Sequence, residues 1–110
     1  MKRGKENINH LLASFKIELE KLYLDRFDRL ILFGSYSRND ASDYSDIDLM
    51  VVLKDQNISP FKEIDFTNEL VFKYMLDYDK QISIVPTTLQ KLNSQNSPLM
   101  TNVRNEGILI

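Results

Sequence analysis

Two short polar groups, Gly34-Ser35 and Asp46-Ile47-Asp48, stand at the facing ends of two apolar segments of the chain. Residues two apart on a strand point to the same side, so we expect Asp46 and Asp48 to project together while Ile47 faces the core. Two carboxylates on one strand face offer the oxygen ligands that suit Mg²⁺. The spacing therefore predicts a site for a divalent cation at the start of the second segment.

The other side of this loop offers groups that bind phosphate. Gly34 permits a sharp turn after the first segment, and Ser35 begins a predicted helical turn whose N–H and hydroxyl groups can hold an anion. Arg38 follows one turn later and can reach the same anion or a nearby carboxylate. Together the pieces predict a magnesium-bound triphosphate, with the metal at the α-phosphate and the loop at the β- and γ-phosphates. The alternative is an ordinary solvated loop in which Asp46 caps a turn.

The elements that must position these residues follow from periodicity and turn signals. Apolar residues at three- and four-residue steps predict a first helix over residues 6–24. Three strands are predicted at 29–33, 47–53 and 81–85, the last ended by Pro86. Further helices are predicted from Pro60 to about residue 77, over 88–93, and from Pro98 to Gly107. The longest of these should bury an apolar set, namely Phe61, Ile64, Leu70, Val71, Tyr74 and Met75. The predicted fold is α/β (α+β) in the order α-β-α-β-α-β-α.

Length and charge limit the class of protein. The chain has 110 residues, which predicts a single domain over 1–110, and its net charge is −2. A protein that binds nucleic acid through a broad basic face usually carries a positive excess, so we expect no direct nucleic-acid binding. Cysteine is absent, which excludes disulfides and thiolate metal sites. The sequence shows neither a signal peptide nor a membrane-spanning segment, and we expect a cytoplasmic protein.

The stretch GSYSRNDASDYSDIDLMVV (34–52) resembles the signature of the minimal nucleotidyltransferases, small members of the DNA polymerase β-like superfamily. Their pattern is Gly-Ser, ten residues, then Asp-x-Asp. The resemblance extends over most of the chain and implies a small mixed sheet of about three strands with helices packed against it. It also implies transfer of a nucleoside monophosphate from a triphosphate such as ATP to an acceptor hydroxyl, with Mg²⁺. In that case Asp46 and Asp48 are catalytic metal ligands, and Gly34, Ser35 and Arg38 bind the nucleotide.

One position departs from the family pattern. Active members usually supply a third carboxylate from a later strand, and the matching position here is Ser83, which cannot act as a carboxylate base. Asp79 has the same strand parity but would lie about 13 Å away along an extended strand. The resemblance therefore leaves two possibilities open, a catalyst that works without this carboxylate and a protein that binds nucleotide without turning it over.

A minimal nucleotidyltransferase of this small size resembles the antitoxins that are paired with all-helical HEPN-domain ribonucleases. The resemblance implies a HEPN toxin as partner, with AMP added to a toxin tyrosine in active examples. The alternatives are neutralisation of the partner by contact alone, or a plain structural domain with an accidental signature. Tyr36 and Tyr44 could stack on a nucleobase or pack the loop. Phe61, Phe66 and Phe72 cannot all share one helix face, and one or two of them could lie at a partner or dimer interface.

Overall fold

The computed structural model describes residues 5–42 and 45–110. Four strands of this part form one mixed sheet in the order β3-β2-β1-β4. The helices are α1 (Lys5–Tyr23), α2 (Pro60–Tyr78), α3 (Leu89–Ser94) and α4 (Pro98–Glu106), and the strands are β1 (Phe27–Phe33), β2 (Ile47–Leu53), β3 (Ile82–Thr88) and β4 (Ile108–Leu109). Strand β1 runs antiparallel to β2 and β4, whereas β2 and β3 are parallel. The α/β class with a mixed sheet is confirmed.

The side chains of β2 alternate between two apolar layers. Ile47, Leu49 and Val51 face the layer that contains the buried residues of α1 and α2. Met50 and Val52 face the other layer, with Leu92 of α3 and residues of α4. Asp48 has the parity of Met50, so its side chain belongs to the face that α3 and α4 cover.

The ends of the sheet differ from the prediction. Three strands were expected, but Ile108 and Leu109 pair with Leu32 and Ile31 and add β4. The predicted order placed a helix between the first two strands, where the described residues form one 3₁₀ turn, Gly34–Tyr36. Pro86 does not end β3, which continues to Thr88. A proline is tolerated there because β3 is an edge strand, so its missing N–H removes no bond to a further strand.

Helix α2 lies against α1 and β3 largely with the predicted face, since Tyr74 is buried and Leu70, Val71 and Met75 are partly buried against the core. The chain enters it at Pro60, as predicted, and leaves it at Asp79 in a left-handed conformation (φ 54°). Glu63 and Thr67 are buried, whereas Phe61 and Ile64 are exposed. The prediction that Phe61 and Ile64 are buried was therefore wrong. The buried positions are the ones that contact Tyr23, Arg26 and the helix backbone through hydrogen bonds.

None of the helices within residues 5–42 and 45–110 combines the length and the apolar character needed to cross a membrane.

Candidate nucleotide site

Asp46 and Asp48 stand at the amino end of β2, in the middle of the sheet. Between them Ile47 is fully buried, and its N–H donates to the carbonyl oxygen of Gln81 at 2.8 Å. This bond fixes the start of β2 against the start of β3. Because successive side chains of a strand alternate, the two aspartates point away from the layer that Ile47 enters. Asp46 is exposed and Asp48 is half-buried.

The carboxyl of Asp48 is influenced by the charges of Asp46 and Arg38. Burial raises the pKa of the Asp48 carboxyl, the negative charge of Asp46 raises it further, and the Arg38 guanidinium lowers it. The two carboxylates thus repel each other in the absence of a cation. A divalent cation between them would relieve that repulsion, and two aspartate oxygens are ligands that Mg²⁺ accepts, so the donor set fits this metal.

The Gly34–Ser35 turn is built directly beside Asp48. Gly34 has φ +78°, a conformation that favours glycine, and a Cβ atom at this position would lie 3.2 Å from Cγ of Asp48. The carbonyl oxygen of Gly34 accepts hydrogen bonds from the N–H groups of Ser37 (3.1 Å) and Arg38 (3.2 Å). These bonds hold the backbone of residues 34–38 in a tight turn beside the carboxylate.

A cavity of about 390 Å³ brings four of the predicted residues together, Gly34, Ser35, Arg38 and Asp48. Asp46, the remaining predicted metal ligand, lies two residues before Asp48 but is not part of the cavity lining. The opposite wall consists of residues of α4 that the sequence did not single out, Leu99, Asn102 and Glu106. Their spacing of three and four residues places them on one helix face, but only the tertiary structure shows that this face meets the loop.

Ser83 is the residue that the sequence predicted at the position of the family's third carboxylate. It is the direct neighbour of Asp48 in the parallel pairing of β2 and β3, and it is exposed on the same face. Asp79 does not replace it, because this residue ends α2 and does not belong to β3. Within residues 5–42 and 45–110, no three acidic or histidine side chains are close enough to hold a metal ion together.

The two tyrosines of the signature stretch have different outcomes. Tyr36 is buried in the core layer of α1, and its hydroxyl accepts a hydrogen bond from Nζ of Lys80 at 3.3 Å. Of the two alternatives for Tyr36, the structure supports packing of the loop. Tyr44 lies outside the described residues, so its predicted role stays a prediction.

The chain matches the family model "Polymerase beta, Nucleotidyltransferase" over residues 7–110. It belongs to the polymerase β-like nucleotidyltransferase family. The family that the signature resembled is thus confirmed, and the mixed sheet agrees with its fold.

Two proteins of Methanocaldococcus jannaschii that are similar to this chain carry a more specific name. The chain is 34% identical over 76 residues to "Putative protein adenylyltransferase MJ0141", covering 69% of this chain and 75% of the relative. It is 29% identical over 102 residues to "Putative protein adenylyltransferase MJ0604", covering 92% of this chain and 95% of the relative. The second match shows that a relative of nearly the same length exists.

Solved structures of the family resemble this nucleotidyltransferase along most of its length. One is described as "Crystal structure of the toxin-antitoxin with AMP-PNP"; it matches with a TM-score of 0.60 and 25% identity over 87% of this chain and 69% of that one. Another, described as "Crystal structure of a putative nucleotidyltransferase from Sulfolobus solfataricus", has a TM-score of 0.60 at 18% identity, covering 99% of this chain and 89% of that one. A structure of tri-AMPylated Shewanella oneidensis HEPN toxin in complex with MNT antitoxin has a TM-score of 0.50 at 23% identity, covering 88% and 69%. The last two matches are evidence for the fold alone.

Proposed function

We propose that this chain is a Mg²⁺-dependent protein adenylyltransferase that transfers AMP from ATP to a tyrosine hydroxyl of a HEPN-domain toxin and so acts as its antitoxin. The observation that carries the proposal is the single cavity that Gly34, Ser35, Arg38 and Asp48 line. Anion-binding groups and a half-buried carboxylate line this one cavity, and a triphosphate with its metal needs both. The adenylyltransferase relatives and the toxin–antitoxin structures support the choice of a protein acceptor.

Each residue has a definite task in this reaction. Asp46 and Asp48 would hold Mg²⁺, which neutralises charge on the phosphates when it is bound. Ser35 and the turn at Gly34 would hold the β- and γ-phosphates, and Arg38 would approach the same anion from the exposed side. Because Arg38 already pairs with Asp40 at 3.3 Å, it would exchange this partner for phosphate when ATP binds.

The reaction is an in-line displacement at the α-phosphorus. The acceptor oxygen forms a bond to this phosphorus, the bond to the oxygen that bridges the α- and β-phosphates breaks, and pyrophosphate leaves with the electron pair. If pyrophosphate leaves along the Ser35 side, the acceptor must arrive from the opposite side, where Ser83 neighbours Asp48. Serine cannot take the hydroxyl proton as a carboxylate does, so the proton passes to solvent and we expect slow turnover.

A second candidate function is neutralisation of the partner by binding alone. The observation that favours it is Ser83, because the lost carboxylate removes the general base of the family pattern. Both candidates use the same partner, and they differ in whether the aspartates are needed.

The test is transfer of label from α-labelled ATP, with Mg²⁺ or Mn²⁺, into the proteins of a host lysate. Wild type is compared with the Asp46→Asn variant and with Asp25→Asn, an exposed aspartate just before β1, at the opposite end of this strand from Gly34. If the chain is an adenylyltransferase, wild type labels a protein band. The rate of labelling then falls about 100-fold or more in Asp46→Asn and is unchanged in Asp25→Asn. Partner binding is measured alongside. A variant that binds but does not label identifies Asp46 as catalytic, whereas absence of label with wild type supports the contact-only antitoxin.

A further inference from the structure

A second cavity, of about 530 Å³, lies at the carboxyl end of α2 on the other side of the signature loop. One wall is apolar and comes from α2, with Phe72, Met75 and Leu76; the other is polar, with Ser45, Asp79, Lys80 and Gln81. Ser45 directly precedes Asp46, so the cavity adjoins the candidate nucleotide site. Its residues belong to the opposite face of the sheet, however, and none of them lines the cavity that contains Asp48.

Lys80 is the unusual member of this lining. It is only 8% exposed, and the hydrogen bond that its Nζ donates goes to the hydroxyl of Tyr36. Asp79 is its neighbour in the chain and lines the same cavity, but the ion pairs found within the described residues do not include Lys80. An ammonium group has three N–H donors, and a buried charge without an opposite charge lowers stability. The cavity thus presents a buried cation whose negative partner is not supplied from within the described chain.

The apolar wall continues beyond the cavity along α2. Phe72 and Leu76 are exposed by 59% and 67%, and Ile64 and Phe61 extend the exposed apolar side chains toward the start of the helix. All four lie on one side of the helix, but the exposed Asp65, Asn68 and Glu69 separate the first pair from the second. The apolar surface that adjoins the cavity, here called the α2 stripe, therefore consists of Phe72 and Leu76. Large apolar side chains that are exposed next to a cavity are typical of contact with another protein.

We infer that the Lys80 cavity and the α2 stripe bind the partner protein through a segment that carries a carboxylate next to an apolar side chain. The carboxylate pairs with the Lys80 ammonium, and the apolar side chain packs on Phe72 and Leu76. A free small anion would use Lys80 but not the stripe, whereas a protein segment uses both. The inference takes from the proposed function only that a partner protein exists, not that AMP is transferred to it.

The test measures the affinity of the partner and the stability of the variant in parallel. The probe is the protein that copurifies with the wild-type chain from its host, purified and titrated by calorimetry. Lys80→Met keeps the length of the side chain and removes the charge. We expect its Kd for the probe to rise about tenfold or more, since it leaves the partner's carboxylate unpaired. Its melting temperature should stay close to that of wild type, because the variant removes a buried cation that has no ion pair within residues 5–42 and 45–110, together with its hydrogen bond to the Tyr36 hydroxyl. Lys91→Met, at an exposed lysine of α3, should change neither quantity.

The stripe is tested by Leu76→Gln, with Ile17→Gln as the matched control. Both residues are exposed aliphatic side chains within helices, at 67% and 51%, but Ile17 lies on α1 away from the cavity. Leu76→Gln should raise the Kd for the probe about fivefold or more, and Ile17→Gln should raise it less than about twofold. The affinity for MgATP should stay within about twofold of wild type in all four variants.

Three results would overturn the inference. The first is unchanged partner affinity in both Lys80→Met and Leu76→Gln. The second is that no host protein copurifies with the wild-type chain. The third is a parallel loss of MgATP affinity in Lys80→Met, which would assign the cavity to the nucleotide. A partner that binds through Lys80 but is never labelled would contradict adenylyl transfer while leaving the docking site in place.

Discussion

The Cα atom of Gly34 lies against the carboxylate of Asp48, so closely that a Cβ atom at position 34 would overlap with Oδ2. Gly34 also has φ +78°, which an alanine adopts only with strain. Gly34→Ala should therefore lower the free energy of unfolding by about 1–3 kcal/mol and displace Asp48, with a loss of MgATP affinity of about tenfold. Chemical denaturation and nucleotide titration measure the two effects.

A double-variant cycle separates the contact from the backbone strain at position 34. In the Asp48→Ala background the carboxylate is gone, and the remaining Cβ of residue 48 would be 3.4 Å from the new methyl group, an ordinary contact. The cost of Gly34→Ala should then fall to the strain alone. An equal cost in both backgrounds would show that the contact with Asp48 is not what excludes a side chain here.

Ser83 offers a gain-of-function experiment. Because it pairs with Asp48 in adjacent parallel strands and is exposed on the same face, Ser83→Asp should place a carboxylate where the acceptor hydroxyl arrives. The initial rate of label transfer should rise about tenfold or more. Ser83→Asn has nearly the same shape but no charge, and an equal rise in this variant would exclude general-base action.

Glu63 connects α2 to Tyr23 and Arg26 just before β1, away from the candidate site. This buried carboxylate accepts hydrogen bonds from the Tyr23 hydroxyl (3.2 Å) and from Nη2 of Arg26 (2.7 Å). Glu63→Ala removes both and leaves the tyrosine hydroxyl buried, so unfolding should become easier by about 2–4 kcal/mol. Glu69→Ala, an exposed glutamate of the same helix, should change stability by less than about 0.5 kcal/mol. Urea denaturation of the two variants tests this, and comparable losses would mean that the network contributes little.

The same network predicts an alkaline limit to stability. Burial raises the pKa of the Tyr23 phenol far above its ordinary value, and the charge and hydrogen bond of Glu63 raise it further. The unfolded chain releases this proton near pH 10, whereas the folded protein retains it, so raising the pH above that point favours unfolding. The stability of wild type should fall by up to about 1.4 kcal/mol per pH unit more steeply than that of Tyr23→Phe. Melting temperatures between about pH 9 and pH 11 compare the two slopes, and identical slopes would contradict the shift.

Local sequence determined the parts of this protein that depend on near neighbours. The periodic apolar residues of α1, the run of buried residues in β2 and the proline that opens α2 each act within a few residues, and each prediction is confirmed. The Gly-Ser and Asp-x-Asp groups likewise indicated the family, because the chemistry that they serve depends on fixed local spacing.

Tertiary structure decided what depends on neighbours that are distant in sequence. Pro86 continues a strand only because β3 lies at the edge of the sheet, and Ile108 becomes a strand only because β1 is adjacent. The exposure of Phe61 and the burial of Glu63 follow from the positions of Tyr23 and Arg26. The periodicity of α2 alone does not predict those positions. The same holds for the α4 wall of the cavity that Asp48 lines and for the burial of Lys80. Their positions are set by the packing of whole elements, whereas sequence patterns report the preferences of single elements.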